Sequence, residues 1–181
     1  MKNLSLIAAL LIAAPTLAVA DDRATNADAN AKLSDSDIAV VTELHHANQS
    51  EVDMGKFALS HGTKAVKDYA TMMVKDHSAN DAKLVALAKK HGIAKIPAPP
   101  ADKSEMDDMT KLKAMKGSDF DRAYVDAMVA DHEKDITTVA DAINSVSDTD
   151  LRDHLVDTKP VLEHHLENAK ALQSAPAQAQ R

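Results

Sequence analysis

Cysteine and tryptophan are absent from this chain of 181 residues, and glycine occurs only four times. Without cysteine there is no disulfide framework, no thiolate nucleophile and no lipid-anchored cysteine. Two tyrosines and two phenylalanines bring aromatics to 2%, too few of the side chains that favour strands to build a sheet protein. No glycine-rich phosphate loop and no serine nucleophile elbow is present. The formal charge of −7 leaves no basic face for a phosphate backbone, which excludes nucleic acid as a partner. What remains is rich in alanine and leucine, with scattered lysines and acids, a composition that suits helices.

The first twenty residues read as a secretory signal peptide. Lys2 is the positive start, Leu4 to Ala14 the apolar run, and Ala18-Val19-Ala20 the small-residue cleavage site before Asp21. The run is too short to span a membrane, so the mature chain is expected to be exported and soluble, most naturally in a periplasm. Residues 21–35 form a polar leader without periodicity. A single domain is expected over residues 36–173, and residues 174–181 form a tail.

Four apolar stripes with helical spacing fill that domain. The first follows N-cap candidates at Ser34 to Asp37 and ends at Gly62. It reads Ile38, Val41, Leu44, Asn48, Glu51, Gly55, Ala58. The second, capped by Thr63, reads Val66, Ala70, Met73, His77, Asn80, Leu84, Leu87, and stops near His91-Gly92. A proline-bearing connection over 93–103 leads to a short surface helix over 104–116, ended by Gly117. The third stripe, capped by Ser118, reads Val125, Met128, His132, Ile136, Val139, Ile143; the fourth, capped by Asp148, reads Leu151, Leu155, Thr158, Leu162, His165, Ala169, Leu172. Pro160 lies inside the last and is expected to kink or open it. Short links at 62 and 147 make an all-α, antiparallel four-helix bundle the natural architecture.

One frame occurs twice. Tyr69 to His77 and Tyr124 to His132 both read Tyr-x-x-x-Met-Val-x-Asp-His, offset by 55 residues (132 − 77). Each copy places its histidine on the apolar stripe. Glu51 and His165 interrupt the other two stripes. Counted from the turns, Glu51 and His77 differ in height by about 6 Å and His132 and His165 by about 4–5 Å, so all four fall near one layer at mid-height of an up-down bundle. Buried polar groups must be satisfied by one another, by water or by a cation. Neutral imidazole is the commonest side-chain metal ligand. A transition-metal site of Glu51, His77, His132 and His165 is therefore the leading expectation, with zinc, iron and copper open.

Around that layer stand possible supporting residues. Asp76 and Asp131 lie about 100° from their histidines and could orient an imidazole on a neighbouring helix, or stay solvated at the bundle edge. Tyr69 and Tyr124 lie two turns away on nearly the same face, Asn48 sits on the first stripe, and His45 could reach the layer's upper edge. Met73 and Met128, one turn from each histidine, read as core filler. His46, His61, His91 and His154 belong to no constellation and are expected at the surface or at helix ends.

Several of these segments in order carry a resemblance. Ala47-Asn48-Gln49-x-Glu51, Met73-Val74-x-Asp76-His77, Gly117-x-x-Phe120-Asp121-x-x-Tyr124 leading to Asp131-His132, and Pro160 with His165-Leu166 together resemble the exported ferritin-like family called domain of unknown function 4142, described as predicted outer membrane proteins. The likeness runs from about Asp37 to Leu172. It implies a ferritin-like four-helix fold and no particular activity. Ferritin-like di-iron proteins use Glu-x-x-His pairs; here Val74, Val129 and Leu162 stand three residues before His77, His132 and His165. A mononuclear site of three histidines and one glutamate fits this departure better than a carboxylate-bridged pair.

Three functions compete on this reading. The first is a metal-binding bundle used for sequestration, sensing or stress protection. The second is a structural or interaction domain whose histidines only fix packing. The third is a small metal-dependent oxidoreductase, for which no substrate pocket is legible.

Overall fold

A computed structural model describes residues 32–99 and 103–175. The expected signal peptide, the leader up to residue 31 and the end of the tail lie outside the described residues. The described chain is helical: α1 (Asp35–His61), α2 (Lys64–Lys90), α3 (Lys103–Ala114), α4 (Gly117–Ser145) and α5 (Thr149–Ser174). None of these helices is long and apolar enough to cross a membrane.

The ends are set locally. The Ser34 hydroxyl accepts from the Asp37 N–H at 3.1 Å, and Asp148 Oδ1 accepts from the Leu151 N–H at 2.8 Å, each satisfying an amide with no helical partner. Thr63 holds the N-cap position of α2, but its hydroxyl makes no cap bond; its own N–H donates to Asp121 Oδ1 at 3.2 Å. Ser118 is not the cap of α4. The helix begins one residue earlier, at Gly117, with Lys116 at the cap position; Gly117 takes a left-handed φ of 59°, which glycine adopts without a steric cost. Gly62 is needed for space: a Cβ there would lie 2.5 Å from Val66 Cγ1 and 3.1 Å from the Ala58 carbonyl oxygen. The expected opening at Pro160 is absent, since α5 runs unbroken from Thr149 to Ser174. Pro160 is exposed, and so is Val156, whose carbonyl loses its helical donor to the proline and can turn to water.

Four of the helices form a ferritin-like antiparallel bundle, and its core shows their directions. One cluster holds Val41, Leu84, Val139, Leu151 and Leu155, from the start of α1, the end of α2, the end of α4 and the start of α5. The other holds Ala58, Val66, Phe120 and Ala169, from the opposite ends. Around the bundle the order is α1, α2, α5, α4, and every neighbouring pair is antiparallel. The stretch between α2 and α4 therefore climbs the whole bundle. It starts at Ile96 in the first cluster and ends at Leu112 in the second, carrying α3 on the way. This single long crossover departs from the simple up-down order expected from the sequence and is the ferritin-like connection. The layer estimate survives because each polar residue sits near the middle of its helix, where reversing direction hardly changes its height.

Diagonal helices run parallel, so α2 and α4 are related by an approximate two-fold along the bundle axis, as are α1 and α5. The repeated nonapeptides occupy equivalent places under this relation. Two buried carboxylates lock the hairpins to each other. Asp37 on α1 accepts from the Ser147 N–H at 3.0 Å and hydroxyl at 2.5 Å, in the α4–α5 link. Asp121 on α4 accepts from Thr63, in the α1–α2 link.

Candidate metal centre

The two apolar clusters leave a polar layer between them, and three imidazoles meet in it. His132 and His165 are fully buried and His77 is 5% exposed. Their ring centroids are 5.2–5.7 Å apart, and one ligand-capable atom from each lies within 4.8 Å of the other two. His77 comes from the α1–α2 hairpin, His132 and His165 from the α4–α5 hairpin.

Their tautomers follow from their outer neighbours. His77 Nδ1 is 2.9 Å from Asn48 Oδ1, while Asn48 Nδ2 is given to Asn80 Oδ1 at 2.9 Å. His132 Nδ1 is 2.9 Å from the Met128 carbonyl oxygen. His165 Nε2 is 3.2 Å from Asp76 Oδ2. All three neighbours can only accept, so the proton of each neutral ring sits on the outer nitrogen. The inner atoms, His77 Nε2, His132 Nε2 and His165 Nδ1, are left as lone pairs. His132 Nε2 and His165 Nδ1 face each other at 3.4 Å, and His77 Nε2 is buried with no hydrogen-bond partner. Burial and the neighbouring imidazoles hold His77 down to about 3 and His132 down to about 4. Burial lowers His165 as well, against the pull of Asp76. A shared proton therefore does not resolve the clash of lone pairs near neutral pH.

A cation would. Two nitrogens bound at ~2.0–2.1 Å in tetrahedral geometry stand about 3.3–3.4 Å apart, the separation found between His132 and His165. Outer N–H groups tied to a carboxylate, a carbonyl and an amide are the usual means of aiming imidazole ligands. The residues present fit a transition-metal ion.

Glu51 is in the layer, 3% exposed, but stands on the other side of His132. Its Oε1 is 3.8 Å from the outer Nδ1, and its Oε2 is buried without a hydrogen-bond partner. Burial, with Asp131 and Asp135 nearby, raises its carboxyl well above the usual range. With His132 held neutral, this contact is not an ion pair.

The expected supporting residues divide. Asp76 orients His165, on the neighbouring helix α5. Asp131 lies beside Glu51, on the neighbouring helix α1. The Tyr69 hydroxyl donates to the His165 backbone carbonyl at 3.3 Å; the Tyr124 hydroxyl is buried without a partner. Asn48 holds His77. His45 turns away from the layer and pairs with Asp81 at 2.6 Å. Two residues not singled out from the sequence complete the network: Asn80 donates to the Thr158 hydroxyl at 2.7 Å, which donates to the His154 carbonyl at 2.8 Å. Both were polar interruptions of an apolar stripe, the same signal that marked the histidines.

His91 stands at a helix end as expected, the C-cap of α2, but it is buried and, against expectation, groups with Asp148 and Asp150 within 4.8 Å. Capping and charge explain this cluster without a cation. Asp148 caps α5, and Asp150 forms an ion pair with Lys90.

Fold and layer together define a ferritin-like helical bundle with a histidine-lined centre. The chain belongs to the family described as domain of unknown function DUF4142, which matches residues 22–172. Among solved structures, CopM in the Cu(II)-bound form is similar, with a TM-score of 0.65 at 14% identity, over 76% of this chain and 95% of that one. Comparison with curated proteins found no match.

Proposed function

We propose that this protein is an exported, periplasmic bundle that binds one transition-metal ion through His77, His132 and His165, for sequestration, sensing or stress protection. One observation carries this: three inner imidazole nitrogens, two of them 3.4 Å apart, left as lone pairs by outer hydrogen bonds. Three neutral imidazoles suit copper, zinc or iron, and a bundle of similar fold was solved with Cu(II) bound, so copper is the first ion to test. Three protein ligands leave a fourth position for water or cargo exchange.

The test is metal content after chelator-free purification from the exported fraction, followed by titration with Cu(II), Zn(II) and Fe(II). About one ion per chain is expected, lost in the His77→Ala/His132→Ala double variant. A wild-type protein that neither carries nor takes up any of these ions defeats the proposal. The Asn48–Asn80–Thr158 chain of hydrogen bonds favours a second reading, a polar layer that only fixes helix register. On that reading, apolar residues of similar size at positions 77 and 132 preserve or raise the melting temperature and no function is lost.

A further inference from the structure

The approximate two-fold makes the two sides of the layer comparable, and they are not equally closed. The α2–α5 seam is packed, with Asp76 against His165. The α1–α4 seam is the least closely packed of the four. It holds a cleft of about 190 Å³ whose lining includes Glu51, Asp131 and Asp135, with Met109 and Leu112 of α3 lying over it. Asp131 and Asp135 are one helical turn apart on α4, so both face the cleft. Glu51 lies at its inner end with Oε2 buried and unpartnered, and its other oxygen 3.8 Å from His132. Among the described residues Lys134 is the one basic residue in the lining, against the three acids Glu51, Asp131 and Asp135. A smaller cleft along the same seam, sharing Ala47, Lys134 and Asp135, reaches His77 itself.

We propose that the α1–α4 cleft is the loading site of the histidine centre, an oxygen-donor site where Asp131, Asp135 and Glu51 take up a hydrated divalent cation and pass it to the imidazoles. This rests on the reading of the three histidines as metal ligands. Carboxylates suit an ion that still carries water, and imidazoles suit it once dehydrated. A cleft in which acids outnumber bases raises the local concentration of cations and their rate of entry. Met109 and Leu112 of α3 line the cleft, and Glu51 within it is 3% exposed.

The test is stopped-flow Cu(II) binding to the full chain, with dissociation followed by transfer to a chelator, for wild type, Asp131→Asn/Asp135→Asn, Glu51→Gln, and a control, Asp157→Asn, on the α2–α5 face. A residue that meets the ion only in transit lowers the barrier in both directions. Association and release should therefore both slow at least tenfold in the first two variants, with Kd within about threefold of wild type, while the control changes neither rate. Rates within twofold of wild type in both variants overturn the loading site and leave the histidine centre standing. So does a loss of affinity with release unslowed, which would make these carboxylates ligands of the bound ion. A wild-type chain that binds no Cu(II) overturns both.

Discussion

The same nine-residue frame is used on both sides of the bundle, with different results. On one side Asp76 of the first copy meets His165 of α5 and holds its outer N–H. On the other, Asp131 of the second copy stands beside Glu51 of α1 and opposes its charge. Tyr69 finds a carbonyl; Tyr124 finds no partner. The frames are alike, but the helix each faces carries a histidine in one case and a glutamate in the other. A repeated motif therefore fixes where a polar residue stands in the layer. The chemistry depends on what the neighbouring helix presents to it.

The largest expected effect comes from deleting the two facing residues in turn. His165→Ala should weaken Cu(II) binding by at least 100-fold, about 2.7 kcal/mol, and Glu51→Ala by less than tenfold, both read by competition titration. Equal losses would restore Glu51 to the ligand set and erase the asymmetry. Next come the aspartates. Asp76→Asn should cost about 10–100-fold in affinity, the usual range for a partner that orients a ligand, whereas Asp131→Asn should leave Kd within about threefold.

Acid sharpens the contrast in the metal-free protein. His77 and His132 have folded pKa values of about 3 and about 4, against 6.5 for the ordinary group. The unfolded chain binds protons first, so their contribution is complete above pH 6.5 and is lost as the pH falls through about 4 for His132 and about 3 for His77. Glu51 has the opposite sign. Its folded value is raised above 4.5, so its contribution is present at low pH and disappears as the pH rises through the folded value. Urea midpoints measured in chelator should fall between pH 7 and pH 5, and fall more steeply in Glu51→Gln, which lacks the offsetting gain. The smallest effect is at the tyrosines. Tyr69→Phe removes a buried hydrogen bond and should cost about 0.5–1.5 kcal/mol, while Tyr124→Phe removes an unpartnered hydroxyl and should be neutral or stabilising in the same denaturation experiment.

The helices and the layer were legible because a buried stripe at helical spacing makes each polar interruption visible: Asn48, Glu51, His77, Asn80, His132, Thr158 and His165 all proved buried or part-buried at mid-bundle. The topology was not legible. Counting from turns cannot tell an ascending α4 from a descending one when the marked residue sits at the midpoint, and the crossover reveals itself only by its two ends, Ile96 and Leu112. Nor could spacing tell which side of His132 faces Glu51. That depends on the ring's rotation, which the Met128 carbonyl sets. His45 fell outside for a similar local reason, drawn off by Asp81.

The layer also lies across the division between the two hairpins. Each hairpin packs extensively on itself and more lightly on the other, and Asp37 and Asp121 fasten them only near their ends. Midway along, the halves meet through His77 on one and His132 with His165 on the other, and hydrogen bonds from Asp76, Tyr69 and Asn80 to α5 cross the same joint on one side. An ion seated among these rings would act as a rivet at the middle of that joint. Its departure would be felt first as a loosening between halves, with each hairpin keeping its own shape.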